Sequence, residues 1–264
     1  MSKRNKARPA RKQAPEVWRC SAVVVAAGTS SRMGAKMRKP FLKLKGRPVL
    51  VWTLQRLGRI QGLDHIVLVT RAEDRGRAKQ AMKQAQLRKS IQVSFADGGA
   101  RRQDSVTNGV NATREDHPLV LIHDAARPFP PLEAIQKAID AAAHCGGAIL
   151  AMPVKDTVKR ERKHIQGAPV NPELNGRRII RETVPRSGLW LAQTPQVFRR
   201  ALILEHLERL KREAPLDEVT DDAAALERYG HAVALIESSS TNLKITRHED
   251  LAIAEALLKA GLVK

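Results

Sequence analysis

The chain has little of what several common functions require. Aromatic residues make up 3% of its 264 residues, with three Trp, one Tyr and four Phe. Few aromatics are left for base stacking, and the core must come mainly from Val, Leu, Ile and Ala. Only two cysteines occur, Cys20 and Cys145, at the edges of apolar runs. They suit neither a disulfide framework nor a thiolate metal cluster. No apolar run reaches the roughly 20 residues of a membrane span. The basic N-terminus lacks the apolar middle of a secretory signal. A P-loop ending, the three-glycine dinucleotide spacing and a convincing Ser-His-Asp or Cys-His context are also missing. The simplest expectation is a cytoplasmic protein without membrane contact.

What is plentiful is positive charge, a formal net +20. Part of it is local. Residues 1–19 hold Lys3, Arg4, Lys6, Arg8, Arg11, Lys12 and Arg19 against one acid, Glu16, together with Pro9 and Pro15. This stretch reads as a basic, unstructured tail, and residues 20–264 as one domain. The domain stays basic without the tail. Such a surface attracts phosphorylated small molecules as well as nucleic acid. No nucleic-acid module is recognisable, so nucleic acid is not the expected partner and remains a remote alternative.

Apolar strands and amphipathic helical stretches alternate along the domain. Strands are expected at 22–26, 65–70, 91–95, 119–123, 148–152 and 232–236. Helices are expected at 49–57, 74–87, 104–112, 132–144, 218–229 and 248–259, and the α/β pattern resumes over 195–212. Continuous apolar strands between helices predict an α/β fold, a mostly parallel sheet covered on both faces. In such sheets ligands bind beyond the C-terminal strand ends. The rhythm breaks over 155–185, a polar stretch with Gly167, Pro169, Pro172 and Gly176. It reads as a protruding arm, with an extended segment near 177–184.

Four constellations carry possible chemistry. The first strand empties into Ala26-Ala27-Gly28-Thr29-Ser30-Ser31, followed by Arg32-Met33-Gly34 and Lys39. Small residues let backbone N–H groups approach an anion, and the two cations suit a polyphosphate. Gly28 and Ser30 alone would fit an ordinary turn. Gly98-Gly99-Ala100-Arg101-Arg102-Gln103-Asp104-Ser105 follows another strand and fits either a binding loop or a turn with a helix cap. Asp124 ends the apolar run 119–122. It can hold a divalent cation that bridges phosphates, or cap a helix, or pair with Arg127. His123 is expected to pack rather than ligate. Arg186, Gln193-Thr194-Pro195-Gln196, Thr220-Asp221-Asp222 and Asn242-Leu243-Lys244 are unremarkable singly.

Taken in order, these strings resemble the 2-C-methyl-D-erythritol 4-phosphate cytidylyltransferase family over roughly residues 21–258. The carriers are Ala26-Ala27-Gly28 with Arg32-Met33-Gly34 and Lys39, Gly98-Gly99 with Arg102 and Ser105, and His123 to Pro128. Pro153 to Lys159, Arg186 to Trp190, Thr194-Pro195-Gln196, Thr220-Asp221 and Thr241 to Thr246 complete the set. The resemblance implies a Rossmann-like nucleotidyltransferase fold and a magnesium-dependent transfer of a cytidylyl group from CTP to methylerythritol phosphate, with release of pyrophosphate. It implies catalytic roles for Arg32 and Lys39. CTP would be met by Ala26, Ala27, Gly28, Gly99, Ala100, Ser105, Asp124, Ala125 and Lys244, with Asp124 also the metal ligand. The acceptor would be met by Arg127, Thr157, Arg186, Thr194 and Thr220. The family dimerises through its arm, which implies a homodimer in which Thr157 and Arg127 act across the interface. A cytidylyltransferase for a pentitol phosphate such as ribitol 5-phosphate is the nearest alternative.

Overall fold

The computed structural model describes residues 17–28, 38–162, 177–213 and 219–263. Arg32, most of the basic tail and the middle of the arm lie outside them. The first strand, β1 (Cys20–Val25), sits inside a seven-stranded sheet. Beside it run β4 (Leu63–Thr70) and β5 (Gln92–Asp97) on one flank, and β6 (Leu119–Asp124) on the other. Beyond β6 come β10 (Trp190–Arg199), β7 (Gly147–Pro153) and the edge strand β11 (Ala234–Glu237). All are parallel to β1 except β10, which is antiparallel to β6 and β7. The strand order is β11-β7-β10-β6-β1-β4-β5. The chain leaves β1 toward β4 and β5, then returns to pair β6 on the other side. That reversal makes the C-terminal ends of β1 and β6 the topological switch point, where open α/β sheets bind ligands.

Alternation along the strands divides the core. Ala22, Val24, Ile66 and Leu68 face α1 (Val49–Leu57), α2 (Arg75–Ala85) and α4 (Leu132–Cys145). Val23, Val67 and Val69 face α3 (Arg102–Asn111), α5 (Arg200–Glu213) and α6 (Ala223–Glu227). Gly109 of α3 shows how close this packing is. A methyl group there would overlap the side chains of Val23 and Val69, an overpacking that costs about 1–3 kcal/mol. A third cluster of Leu44, Val49, Phe129, Ile245 and Ala254 docks α7 (His248–Lys259) beside the short hairpin of β2 (Lys43–Leu44) and β3 (Arg47–Pro48).

Two readings of the sequence need correction. Strand β10 crosses the middle of the sheet, where only a general α/β pattern was expected from 195 onward. Its run is broken by a cis Thr194–Pro195 bond at a register shift, so it carries no continuous apolar signature. The helix expected at 218–229 is the shorter α6, and of that range residue 218 lies outside the described residues. Within the expected arm, β8 (Val158–Glu161) pairs antiparallel with β9 (Ile180–Val184). Trp18 and Arg19 are attached to the domain. Trp18 packs on the first core cluster, and Arg19 pairs with Asp64 and Asp116.

The N-terminal ends of the strands bury a polar cluster. Ser21 Oγ lies 2.7 Å from His117 Nδ1 and 3.3 Å from His65 Nδ1. His65 Nε2 reaches Ser94 Oγ at 3.0 Å. Asp64 Oδ1 and an Arg19 nitrogen stand 3.0 and 3.1 Å from His117 Nε2. Among the described residues no helix is long and apolar enough to cross a membrane.

Candidate active site

At the opposite end of the same strands, β1 and β6 stop level with each other, Val25 beside Asp124. The small residues that follow β1 stay close to the sheet. Ala26 N–H donates to the Val69 carbonyl at 2.8 Å, and the Ala27 carbonyl accepts from Arg71 Nε at 3.1 Å. Gly28 is exposed. Gly98 lies so close to Ala27 that any side chain there would overlap the Ala27 methyl group. Thus the loop after β5 stacks against the loop after β1 only because both are made of small residues. Ser105, near the start of α3, ties that loop down. Its hydroxyl accepts the Gly99 N–H at 2.9 Å and donates to the Arg101 carbonyl at 3.2 Å. Ala100 is exposed at the loop tip. Lys39 opens a short 3₁₀ turn, Lys39–Phe41, and is half-buried.

Asp124 is the centre of charge. Its Oδ2 lies 2.7 Å from Lys244 Nζ and 3.8 Å from Arg127 Nε, and its Oδ1 is 3.6 Å from Arg102. Burial pushes the Asp124 pKa up, but Lys244 and then Arg102 outweigh it, so the carboxyl is held well below the usual range. Burial disfavours the Arg102 charge, and the Asp222 carboxylate more than compensates. It grips the guanidinium with two bonds of 2.7 and 2.8 Å. Three cations around one carboxylate leave this end of the sheet attractive to further negative charge.

A second set of bonds fixes the turn that carries Asp124, Ala125 and Arg127. His123 Nε2 lies 3.0 Å from the Arg127 carbonyl, which can only accept, so Nε2 carries the proton. Burial pushes the His123 pKa down to about 4, and the ring is neutral. Its Nδ1 then accepts from the Thr194 hydroxyl at 3.1 Å, while the same oxygen accepts the Asp124 N–H at 3.0 Å. Arg127 donates to the Asn242 carbonyl at 2.7 Å, and the Asn242 amide donates to Gln193 and to the Thr194 carbonyl. Ile245 N–H closes onto the Ala126 carbonyl at 2.9 Å, which seats Lys244 over Asp124.

The structure therefore gathers Ala26, Ala27, Gly28, Gly99, Ala100, Ser105, Asp124, Ala125 and Lys244 at one end of the sheet. Arg127 lies beside Asp124 within this chain. Its side chain is largely buried against Asp124 and Asn242 of its own chain. Thr194 is 5% exposed and lies behind Asp124, its hydroxyl engaged with His123 and the Asp124 backbone. Thr157 and Arg186 are exposed at the root of the arm, where Arg186 donates to the Lys155 carbonyl. Thr220 is exposed, next to the fixed Asp221 and Asp222. Sequence reasoning assigned no role to Arg102, Gln196, Asp222 or Asn242. Arg102 and Asp222 are 120 residues apart, and no local pattern connects them. Among the described residues no group of three or more His, Cys, Asp or Glu comes together as a metal centre. A divalent cation here would rest on Asp124 and on oxygens of a ligand.

Comparison with known proteins agrees with this geometry. The family model described as IspD, 2-C-methyl-D-erythritol 4-phosphate cytidylyltransferase, matches residues 20–260. The protein of that name from Geobacillus thermodenitrificans is 40% identical over 243 residues, 92% of this chain and 98% of the relative. The crystal structure of 4-diphosphocytidyl-2C-methyl-D-erythritol synthase from Anaerococcus prevotii superposes with a TM-score of 0.74 at 29% identity, covering 92% and 96% of the two chains. That of the Thermus thermophilus cytidylyltransferase gives 0.68 at 32% identity, covering 91% and 99%. Match, identity and superposition all span the folded domain, and the chain belongs to the 2-C-methyl-D-erythritol 4-phosphate cytidylyltransferase family.

Proposed function

We propose that this chain transfers the cytidylyl group of CTP to 2-C-methyl-D-erythritol 4-phosphate, giving 4-diphosphocytidyl-2-C-methyl-D-erythritol and pyrophosphate in isoprenoid precursor synthesis. Family membership supports the reaction. The observation that carries it is the Asp124 cluster, an ionised carboxylate inside three cations at the switch point of the sheet. The acceptor phosphate oxygen attacks the α-phosphorus of CTP, and the bond to pyrophosphate breaks. Such a transfer needs positioning and charge stabilisation rather than a protein nucleophile. The Ala26–Gly28 backbone and the Gly99–Ala100 loop hold the nucleotide. Lys39 and Arg32 meet charge that grows on the leaving pyrophosphate, and Lys244 lies by the phosphates. Arg186, Thr157 and Thr220 receive the acceptor.

Magnesium is the cation this reading expects, and Asp124 fits it. The carboxylate is held ionised, and its Oδ1 lies beyond hydrogen-bond length from Arg102. Magnesium needs only one or two protein carboxylates when phosphates complete its shell. Bound there, it would neutralise triphosphate charge.

The arm supports a dimer. Ile180 is 60% exposed and Leu191 53% exposed, with Leu189 and Trp190 between them in the chain also open. These apolar side chains, on β9 and at the start of β10, suit burial against a second copy. Both cysteines are unpaired, which fits a reducing cytoplasm.

The test is pyrophosphate release from CTP and magnesium with each acceptor. Turnover with methylerythritol phosphate is expected. Turnover with ribitol 5-phosphate alone would reassign the acceptor, and release with neither would end the reading.

A further inference from the structure

Gln196 lies in β10, two residues beyond Thr194, and is 1% exposed. All three of its strong bonds go to one distant segment. Its Oε1 accepts the backbone N–H groups of Asp222 and Ala223, both at 3.0 Å. Its Nε2 donates to Asp221 Oδ2 at 2.8 Å. Backbone N–H groups can only donate, so the amide orientation follows from its partners. The other Asp221 oxygen accepts the Ala224 N–H at 3.1 Å. Asp222 grips Arg102 with both oxygens, and Arg102 faces Asp124 at 3.6 Å. A continuous polar chain thus runs from the segment bearing Thr220, through Gln196 and Arg102, to the carboxylate at the nucleotide end of the sheet.

We propose that Gln196 is a positioning residue: its carboxamide latches residues 220–223 to β10 and so sets the separation between acceptor and nucleotide. This rests on the function proposed above, with Thr220 on the acceptor side. A glutamine buried in a central strand is a poor choice for packing alone, since any unmet polar atom is costly there. Here each polar atom of its head is met by the same short segment. Arg102 also holds the Asp222 side chain, and Gln103 Oε1 accepts the neighbouring Val219 N–H at 3.1 Å, but it is Gln196 that fixes the backbone N–H groups of Asp222 and Ala223 to the sheet. Loss of the latch would let Thr220 drift while Gly99, Ser105 and Lys244 stay fixed by their own bonds.

The amide can be interrogated by exchanging donor and acceptor. Gln196→Glu still accepts the two N–H groups but sets an oxygen against Asp221 Oδ2. Adding Asp221→Asn restores a donor to that pair with reversed polarity, and the new side-chain oxygen can still accept the Ala224 N–H. We expect Gln196→Glu to raise the KM for the acceptor about 10-fold or more, the scale of one buried bond to a charged group. The KM for CTP should stay within about twofold, because the nucleotide contacts are anchored elsewhere. The double variant should recover most of the acceptor KM. If both KM values move together, if neither moves, or if the exchange gives no recovery, the latch is wrong. Amide hydrogen exchange reads the latch without turnover: Gln196→Met should speed exchange at Asp222 and Ala223, and unchanged exchange would overturn it. A wild-type protein that turns over neither acceptor defeats the functional reading instead, while the exchange measurement still decides the latch.

Discussion

Both ends of the central sheet bury ionisable groups, and they treat them differently. At the N-terminal end, Arg19, Asp64, His117, Ser21, His65 and Ser94 are linked one to the next, and Arg19 also reaches Asp116 outside the set. At the C-terminal end, Asp124 is surrounded by Arg102, Arg127 and Lys244, and only Arg102 has a second carboxylate, Asp222, to itself. The first arrangement balances itself and asks for nothing more. The second sets three cations around one carboxylate beside loops of small residues. Buried polarity alone therefore does not mark a site; clustered cations beside an approachable backbone do.

The largest effects should fall on the C-terminal end. Lys39→Ala should lower kcat about 10²- to 10³-fold, the scale of one lost stabilising group, with CTP affinity changed far less. Steady-state kinetics together with CTP titration would check this. A raised dissociation constant with unchanged kcat would make Lys39 an ordinary binding group. Asp124→Asn should be comparably severe, and it has a counterpart at the other end. Asp124 is 12% exposed in its side chain and faces three cations; Asp64 is 32% exposed and faces Arg19 and His117. Asp64→Asn should leave kcat within about twofold and cost about 1 kcal/mol or less, as for partly exposed pairs. Equal losses of activity in the two variants would erase the distinction between the ends.

A middle-sized effect should appear in stability alone. His117→Ala removes the 2.7 Å partner of the Ser21 hydroxyl and leaves a fully buried oxygen with only the longer His65 contact. Denaturant unfolding should show a loss of about 1–3 kcal/mol. Pyrophosphate release at pH 7 should be unchanged, since among the described residues no side-chain bond joins this cluster to Asp124 and only the strands run between them. A fall in kcat would mean that the two ends communicate through β1 and β6.

How much of this contrast was legible in the sequence differs by element. Helices 49–57 and 248–259 were legible to the residue, because their apolar spacing and flanking residues agree. Parallel strands were legible as apolar runs, with ends one or two residues off. β10 was not, because Thr194–Pro195 interrupts its apolar run. At the site, Asp124 stood out at the end of its apolar run, while Lys244 gained a role only through the family resemblance. Arg102 with Asp222 and Gln196 with Ala223 did not stand out, because their meaning lies in partners 120 and 27 residues away. The N-terminal cluster was invisible for the same reason: Ser21 and His117 are 96 residues apart.

The smallest effect, and the one that separates the ends most finely, is the response to acid. Burial lowers the pKa values of His65 and His117 in the folded protein. The unfolded chain then binds protons more readily than the folded one, starting near the ordinary histidine pKa of about 6.5. The stability they contribute is complete above that pH and drains away as the pH falls toward their lower folded values. His123 behaves in the same sense at the other end, down to about 4. Melting temperature should therefore fall between pH 7 and pH 5, above the range where carboxylates titrate. His117→Asn removes one of these groups, so its melting temperature should start lower at pH 7 and decline less steeply with acid. His123→Asn tests the other end: it should flatten the same limb but also reduce kcat at pH 7, because its ring holds Thr194 and the Arg127 carbonyl around Asp124. An identical slope in wild type and His117→Asn would show that the N-terminal cluster does not carry the acid sensitivity, whatever its part in packing.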